Sequence, residues 1–83
     1  MNIESSQNEL ERFGKMIRER RTVLGMTLET LAEKANRSDR EVRDIELGKV
    51  EPKFRTALLL CDACKVDIGE LMAFVPQEDL TYA

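Results

Sequence analysis

The chain has 83 residues, 42% of them hydrophobic and 35% charged, with only 4 Gly and 2 Pro, a composition typical of one compact soluble helical domain and not of a disordered segment. It contains no apolar run near the ~20 residues of a membrane span and no basic, apolar secretion signal at its N-terminus, so we expect a cytoplasmic protein with no membrane partner. The net charge of −3 weighs against nucleic acid, but residues 10–55 carry 12 basic and 9 acidic side chains, a local charge of +3.

Apolar periodicity predicts the first two helices. Over residues 9–24 the apolar side chains recur at helical spacings and form one face of an amphipathic helix; they are Leu10, Phe13, Met16, Ile17 and Leu24. Gly25 supplies the left-handed stop for this helix. A second, short helix is predicted over residues 28–35, because Thr27 is a good N-cap and Asn36 readily takes the left-handed conformation that ends a helix.

A third helix is predicted over residues 39–47. Ser38 and Glu41 spell the S-x-x-E pattern of a capping box, in which each side chain accepts a hydrogen bond from the backbone amide of the other residue. Gly48 ends this helix. About three turn residues then separate the second and third helices, as in a helix-turn-helix, where one helix crosses the phosphate backbone and the other lies in the major groove. Many small helical domains share this spacing, so it does not establish DNA binding alone.

Two further helices and a tail complete the predicted fold, which is all-α with five helices. A strongly apolar helix is expected over residues 54–64, and Asp67 is the predicted N-cap of a fifth helix that reaches Val75. The expected organisation is a flexible N-terminus at residues 1–8, a helix-turn-helix domain at 9–75 and, as a candidate part of a dimer surface, a C-terminal tail at 76–83.

Cys61 and Cys64 form a CxxC pair in the fourth helix. Zinc sites usually take four ligands and the chain has no histidine, and a thioredoxin-like redox pair needs a strand-to-helix context that the sequence lacks. The two cysteines are therefore predicted to be small buried hydrophobes in a reducing compartment. We expect no metal and no cofactor.

Several short motifs follow one another in a specific order. They are a basic first helix ending in RxxLGMT, LAEKA in the second helix, I-E-x-G-K closing the third, Pro52 after it, and a leucine-rich helix leading into V-D-I-x-E-L-M. In order and spacing they resemble the phage repressor and Cro family, also called the XRE family, over about 60 of the 83 residues. The resemblance implies a lambda-repressor-like fold of five helices that binds operator DNA as a homodimer and regulates transcription.

The resemblance also implies roles for individual side chains. Arg21 and Glu46 match the family's internal ion pair, which ties the first helix to the end of the third. Four outward positions match base-contacting positions of the recognition helix; they are Asp39, Arg40, Arg43 and Asp44. We expect the two arginines to do most of the reading, because arginine binds guanine O6 and N7 with two donors. The expected phosphate contacts are Thr27, Arg37, Lys49 and Lys53.

The sequence also departs from the family pattern. Leu28 stands where many members carry a glutamine that contacts a phosphate, and three carboxylates besides that of Glu46 lie on the recognition helix, at Asp39, Glu41 and Asp44. The three leucines at residues 58–60 cannot all face the core, because consecutive residues of a helix with 3.6 residues per turn point in different directions. A dimer or partner surface is therefore expected, with packing inside the domain as the alternative, at Leu59, Met72, Phe74, Val75, Leu80 and Tyr82.

These features lead to two functional hypotheses. The first is a homodimeric, sequence-specific transcriptional regulator that binds a double-stranded operator with inverted-repeat symmetry. The second keeps the fold as a protein-interaction module, such as an anti-activator or an antitoxin-like partner, that does not bind DNA. An enzyme is not expected, because the sequence has no histidine, no glycine-rich phosphate loop and no paired carboxylates beside a cavity-forming core.

Overall fold

A computed structural model describes the backbone of residues 3–73 and the side chains of residues 8–73 other than Ile68. Within this range the chain is all-helical, as predicted, and the five helices are α1 (Ile3–Val23), α2 (Leu28–Ala35), α3 (Asp39–Glu46), α4 (Phe54–Ala63) and α5 (Ile68–Met72). α1 packs against α3, and α2 packs against both α3 and α4. The second and third helices begin at the residues that the sequence predicted.

The first helix differs from its predicted bounds at both ends. It begins at Ile3 and not near Glu9, so residues 3–8, expected to be a flexible N-terminus, are helical. This stretch contains neither Gly nor Pro, and extending a helix beyond an established nucleus costs little. At the other end α1 stops at Val23, which leaves Leu24 in the turn and 46% exposed instead of on the buried apolar face.

Side-chain N-caps start α2, α3 and α5. Thr27 and Ser38 accept hydrogen bonds from the backbone amides three residues later, at 3.1 and 3.0 Å, and Asp67 completes a full capping box. At Ser38 the hydroxyl caps the helix as predicted, whereas the Glu41 carboxylate lies 3.9 Å from Arg37 Nε instead of closing the box. This places the Glu41 carboxylate within ion-pair distance of Arg37, one turn earlier in the chain.

The core lies where the first four helices meet. It consists of Phe13, Ile17, Leu31, Ala32, Ala35, Val42, Ile45, Ala57, Leu60, Cys61, Cys64 and Val66. The backbones of α1 and α3 approach closely at Gly14, where an added Cβ would lie 2.3 Å from the carbonyl oxygen of Ile45. Only glycine fits at that distance, so Gly14 permits the spacing between α1 and the helix predicted to read DNA.

A buried ion pair joins α1 to the last turn of α3. Arg21 Nε and Nη2 donate to the two carboxylate oxygens of Glu46 at 2.6 and 3.1 Å, and the two side chains are only 16% and 5% exposed. Arg21 Nη1 also donates to the carbonyl of Met26 at 3.2 Å, which fixes the turn before α2. The hydrogen bonds to Glu46 raise the pKa of Arg21 above its ordinary value, so this guanidinium stays charged.

A second, more exposed ion pair holds α5 against α1. Arg20 pairs with Glu70, and each side chain is 36% exposed. The hydrogen bond from Arg20, with a further one from the backbone amide of Asp67, lowers the pKa of Glu70. Because exposed pairs contribute little to stability, the Arg20–Glu70 pair mainly orients the short helix α5. The turn between α4 and α5 contains Lys65, whose left-handed φ of 60° is a conformation that favours glycine.

The contribution of the buried pair can be measured with Arg21→Met. This change leaves the Glu46 carboxylate buried without its counter-charge, and losing one partner of a buried pair costs roughly 3–5 kcal/mol. We expect the free energy of unfolding, from a urea titration followed by circular dichroism, to fall by about that amount. The double variant R21M/E46L should lose less than R21M alone, because no charge is then stranded.

The matched control is Arg20→Met, which removes the neighbouring guanidinium from the exposed pair with Glu70. Its loss of stability should be much smaller than that of R21M, since the Glu70 carboxylate remains accessible to water. Equal losses in the two variants would show that burial does not set the contribution of the Arg21–Glu46 pair.

Candidate nucleic-acid interface

The helix-turn-helix consists of α2, the turn at residues 36–38 and α3. Asn36 closes α2 in the left-handed conformation, with φ 55° and ψ 49°, as the sequence predicted. The two helices bury their apolar sides, and the buried apolar residues are Leu31, Ala32, Ala35, Val42 and Ile45. Because that side is buried, α3 presents its opposite face to solvent.

The outward face of α3 carries the four residues predicted to contact bases. Asp39, Arg40 and Arg43 are exposed and Asp44 is half-buried, and their spacing along the helix puts all four on one surface. The Arg40 side chain is 89% exposed, and its Nε lies 4.0 Å from the Asp44 carboxylate. A pair this exposed is weak, so the Arg40 guanidinium remains available to a stronger acceptor.

Three of the four predicted phosphate contacts, Thr27, Lys49 and Lys53, are exposed. Lys49 and Lys53 are exposed in the loop that follows α3, where their long side chains can reach a phosphate. Thr27 is exposed but uses its hydroxyl as the N-cap of α2, and that hydroxyl also donates to the Thr30 hydroxyl at 3.0 Å. The two lysines are therefore better placed than Thr27 for the role that the sequence assigned.

The fourth predicted phosphate contact, Arg37, also makes internal hydrogen bonds. Its Nε donates to the Thr56 hydroxyl at 2.9 Å, and its Nη1 donates to the Asn36 carbonyl at 2.8 Å. The side chain is 23% exposed, so the guanidinium ties the turn of the helix-turn-helix to α4. Sequence reasoning missed this internal contact because Thr56 lies 19 residues away along the chain, and the phosphate contact of Arg37 stays a prediction.

A cleft opens beside the outward face of α3, between α1 and the start of α2. Next to the Arg21–Glu46 pair, it is lined by Arg18, Leu28, Glu29, Arg43 and Leu47. Arg18 was not among the residues predicted to contact DNA. Its one signal in the sequence is its position three residues before Arg21, which puts both arginines on the same side of α1.

Comparison with known protein families agrees with this geometry. The family model described as Helix-turn-helix matches residues 17–71, well over half of the chain, and that range includes all of α2, the turn and α3. The chain belongs to the XRE helix-turn-helix family. It is a DNA-binding regulator in the general sense of that family. No curated protein and no solved structure matches the chain significantly.

The partner surface predicted for this XRE-family protein lies only partly within the described residues. Leu59 is half-buried and packs against the core, because it shares a side of α4 with Thr56 and Ala63 at helical spacings. It thus offers less surface than the sequence predicted. Met72 is 41% exposed. The remaining predicted positions, and the tail at 76–83, lie outside the described residues; they are Phe74, Val75, Leu80 and Tyr82.

The two cysteines of this XRE-family domain are free and buried. Burial raises the pKa of both thiols, Cys61 and Cys64, to about 11, and Cys64 Sγ lies 3.8 Å from the Ile17 carbonyl. Among the described residues no cluster of cysteine and carboxylate side chains is placed to hold a metal ion. In the same part of the chain no helix is long and apolar enough to cross a membrane.

These thiols should react slowly while the domain is folded. The thiolate is the reactive form of cysteine, and near pH 8 a thiol with a pKa of about 11 is almost wholly protonated. We expect iodoacetamide at that pH to leave both cysteines unmodified over a period that labels both completely in concentrated urea, as measured by mass spectrometry. Equal labelling rates in the two conditions would contradict the burial of these side chains.

Proposed function

We propose that the protein is a homodimeric, sequence-specific transcriptional regulator of the repressor or controller type that acts in the cytoplasm on an inverted-repeat operator. The observation that carries the proposal is the outward face of α3, which presents Arg40 and Arg43 while its apolar side is buried. In a helix-turn-helix, a second helix that buries its apolar side and exposes polar side chains reads base edges in the major groove. The proposal includes no catalytic step, metal or cofactor.

Base reading is assigned to the exposed positions of α3. Arg40 is the leading candidate, because its side chain is 89% exposed and its guanidinium can hold guanine O6 and N7 with two donors. Asp39 and Asp44 can accept from cytosine N4, which would make their carboxylates part of the specificity. Arg43 is the second arginine that the sequence assigns to a base. It lies where the outward face of α3 borders the cleft.

Affinity is assigned to phosphate neutralisation by the basic middle of the chain. Residues 10–55 carry a local charge of +3, and Lys49 and Lys53 extend from the loop after α3. Each phosphate contact releases condensed counterions, so binding should weaken steeply as salt rises. The acidic flanks, residues 1–9 and 56–83, would be placed away from the DNA.

A homodimer is proposed because one short recognition helix reads few base pairs. Two copies related by a two-fold axis would set their α3 helices about 34–36 Å apart, in successive major grooves, on an operator with the same symmetry. A second subunit would also add buried area to a domain whose own core is small. Met72, 41% exposed on α5, is the described residue that supports a contact surface at that end of the fold.

The experiment that tests the proposal is selection of bound sequences from a random DNA pool by the purified protein. We expect enrichment of one palindrome whose half-sites are separated by about one helical turn. An enriched sequence without two-fold symmetry would contradict the homodimer and leave DNA reading intact. No enrichment over the starting pool would contradict sequence-specific binding.

Replacing Arg40 tests its role in base reading. Arg40→Ala should weaken binding to the selected operator by ~1–3 kcal/mol and relax the preference at one base pair of each half-site. Arg40→Lys keeps the charge but loses the two-pronged contact, so it should keep the salt dependence and lose the base preference. If R40A left both affinity and preference unchanged in gel-shift titrations, this assignment would be wrong.

The alternative is a protein-interaction module that has kept the fold without the DNA function. It is favoured by the carboxylates of Asp39 and Asp44 on the outward face of α3 and by the apolar Leu28 at the start of α2. Absence of binding to any duplex at low salt, together with a stoichiometric complex with one identified protein partner, would support this alternative over the regulator.

A further inference from the structure

One arginine links the turn of the helix-turn-helix to the helix that follows the motif. Arg37, in the middle of the turn, donates from Nε to the hydroxyl of Thr56 on α4 at 2.9 Å. Its Nη1 donates to the carbonyl of Asn36, the residue that closes α2, at 2.8 Å. Because the guanidinium is planar and its donors form a rigid fork, two bonds in different directions leave it little freedom to rotate.

Thr56 receives this hydrogen bond inside the fold. It is only 2% exposed, so its side chain cannot itself contact DNA. The bond is partly buried, and a hydrogen bond from a charged donor is stronger than one between neutral groups. If the hydroxyl were removed, the Nε donor would lose this partner in a place that water reaches poorly, which costs free energy. The contact is therefore a firm link between the turn and α4.

Apolar packing does not fill the space beside this link. A cleft of about 420 Å³ opens there, lined by Glu41 and Ile45 of α3, by Thr56 of α4 and by Arg37 itself. α3 packs against α1 and α2, and α4 packs against α2. Where side chains do not interlock, a satisfied polar contact has more influence on how two elements are held. The Arg37–Thr56 bond thus restrains α3 relative to α4 from the turn.

We propose that Arg37 is a positioning residue for operator recognition, which acts through Thr56 to hold the outward face of α3 in its reading direction. The inference rests on the proposed function. Arg37 comes directly before Ser38, the N-cap of α3, so a shift of this turn moves the start of the reading helix. Side chains that recognise a ligand must be held within about 0.5 Å of their productive geometry. A small shift at the turn therefore lowers discrimination between DNA sequences.

This role differs in measurable ways from the phosphate contact that the sequence predicts for Arg37. A phosphate contact acts on duplexes of any sequence and adds to the salt dependence of binding. A positioning residue neutralises no phosphate, so it acts mainly on the selected operator and leaves the slope of log affinity against log salt unchanged. Thr56 offers the cleanest separation, because replacing it alters the link and no charge.

The first test is Thr56→Val, with gel-shift titrations of the selected operator and of an unrelated duplex over a range of salt. T56V should weaken operator binding by roughly 2- to 30-fold, the range for changes at residues that do not touch the ligand. It should affect the unrelated duplex much less and keep the salt slope. Thr56→Ser retains the hydroxyl and should keep the discrimination. The matched control, Thr22→Val, removes an exposed hydroxyl from α1 and should bind like the wild type.

The second test compares Arg37→Lys with Arg37→Gln. Lysine keeps the positive charge but lacks the planar fork that spans Thr56 and Asn36. Positioning predicts that both variants lose operator discrimination to a similar extent and that R37Q has the same salt slope as Lys34→Gln, a charge control at an exposed residue of α2. A phosphate contact predicts that R37K keeps most of the affinity and that R37Q lowers the slope by up to about 0.9 per bound subunit.

A purely structural role is separated by comparing proteins that are fully folded. Affinities are measured at a temperature at which circular dichroism shows every variant folded. A side chain that only stabilises the domain would then lower the free energy of unfolding and leave discrimination intact. In the double variant R37Q/T56V, the loss of operator affinity should be about that of one single variant, because both changes remove the same contact.

Three results decide between these accounts. Wild-type discrimination in folded T56V, or a salt slope that R37Q lowers and K34Q does not, would overturn the positioning role, while selective binding by the wild-type protein would still support the proposed function. Failure of the wild-type protein to bind any duplex at low salt would overturn both.

Discussion

The buried pair between Arg21 and Glu46 is the interaction on which the presentation of α3 depends. It fastens α1 to the last turn of α3 with two hydrogen bonds, beside the point where Gly14 lets the two backbones approach. Both contacts lie on the inner side of α3, so they fix the direction in which the outer side points. A guanidinium can select a base edge only if its helix is held rigidly. The pair thus holds α3 in a fixed orientation against α1.

Most of the carboxylates on α3 lie near arginines. Of the four, Glu46 is bound to Arg21, Glu41 lies near Arg37 and Asp44 lies near Arg40. Asp39 sits at the start of the helix, where a negative charge is favourable. The Glu41–Arg37 and Asp44–Arg40 contacts each join one acid and one base, so they leave the local excess of base over acid in residues 10–55 unchanged.

The sequence predicted the elements of this fold better than the contacts between them. Caps and stops such as Thr27 and Asn36 are local signals, and they located α2 and α3 correctly. The internal role of Arg37 and the close approach at Gly14 depend on residues far away along the chain, which periodicity cannot reveal.

The most direct test of this account is an amide chemical-shift titration of the ¹⁵N-labelled protein with its selected duplex. We expect the largest changes at Leu28, Arg40 and Arg43, around the outer face of α3 and its cleft. Amides at Lys34 and Lys65, which line a separate cleft, should move little. Changes concentrated at that second cleft, with α3 unaffected by saturating DNA, would contradict the claim that α3 is the reading helix.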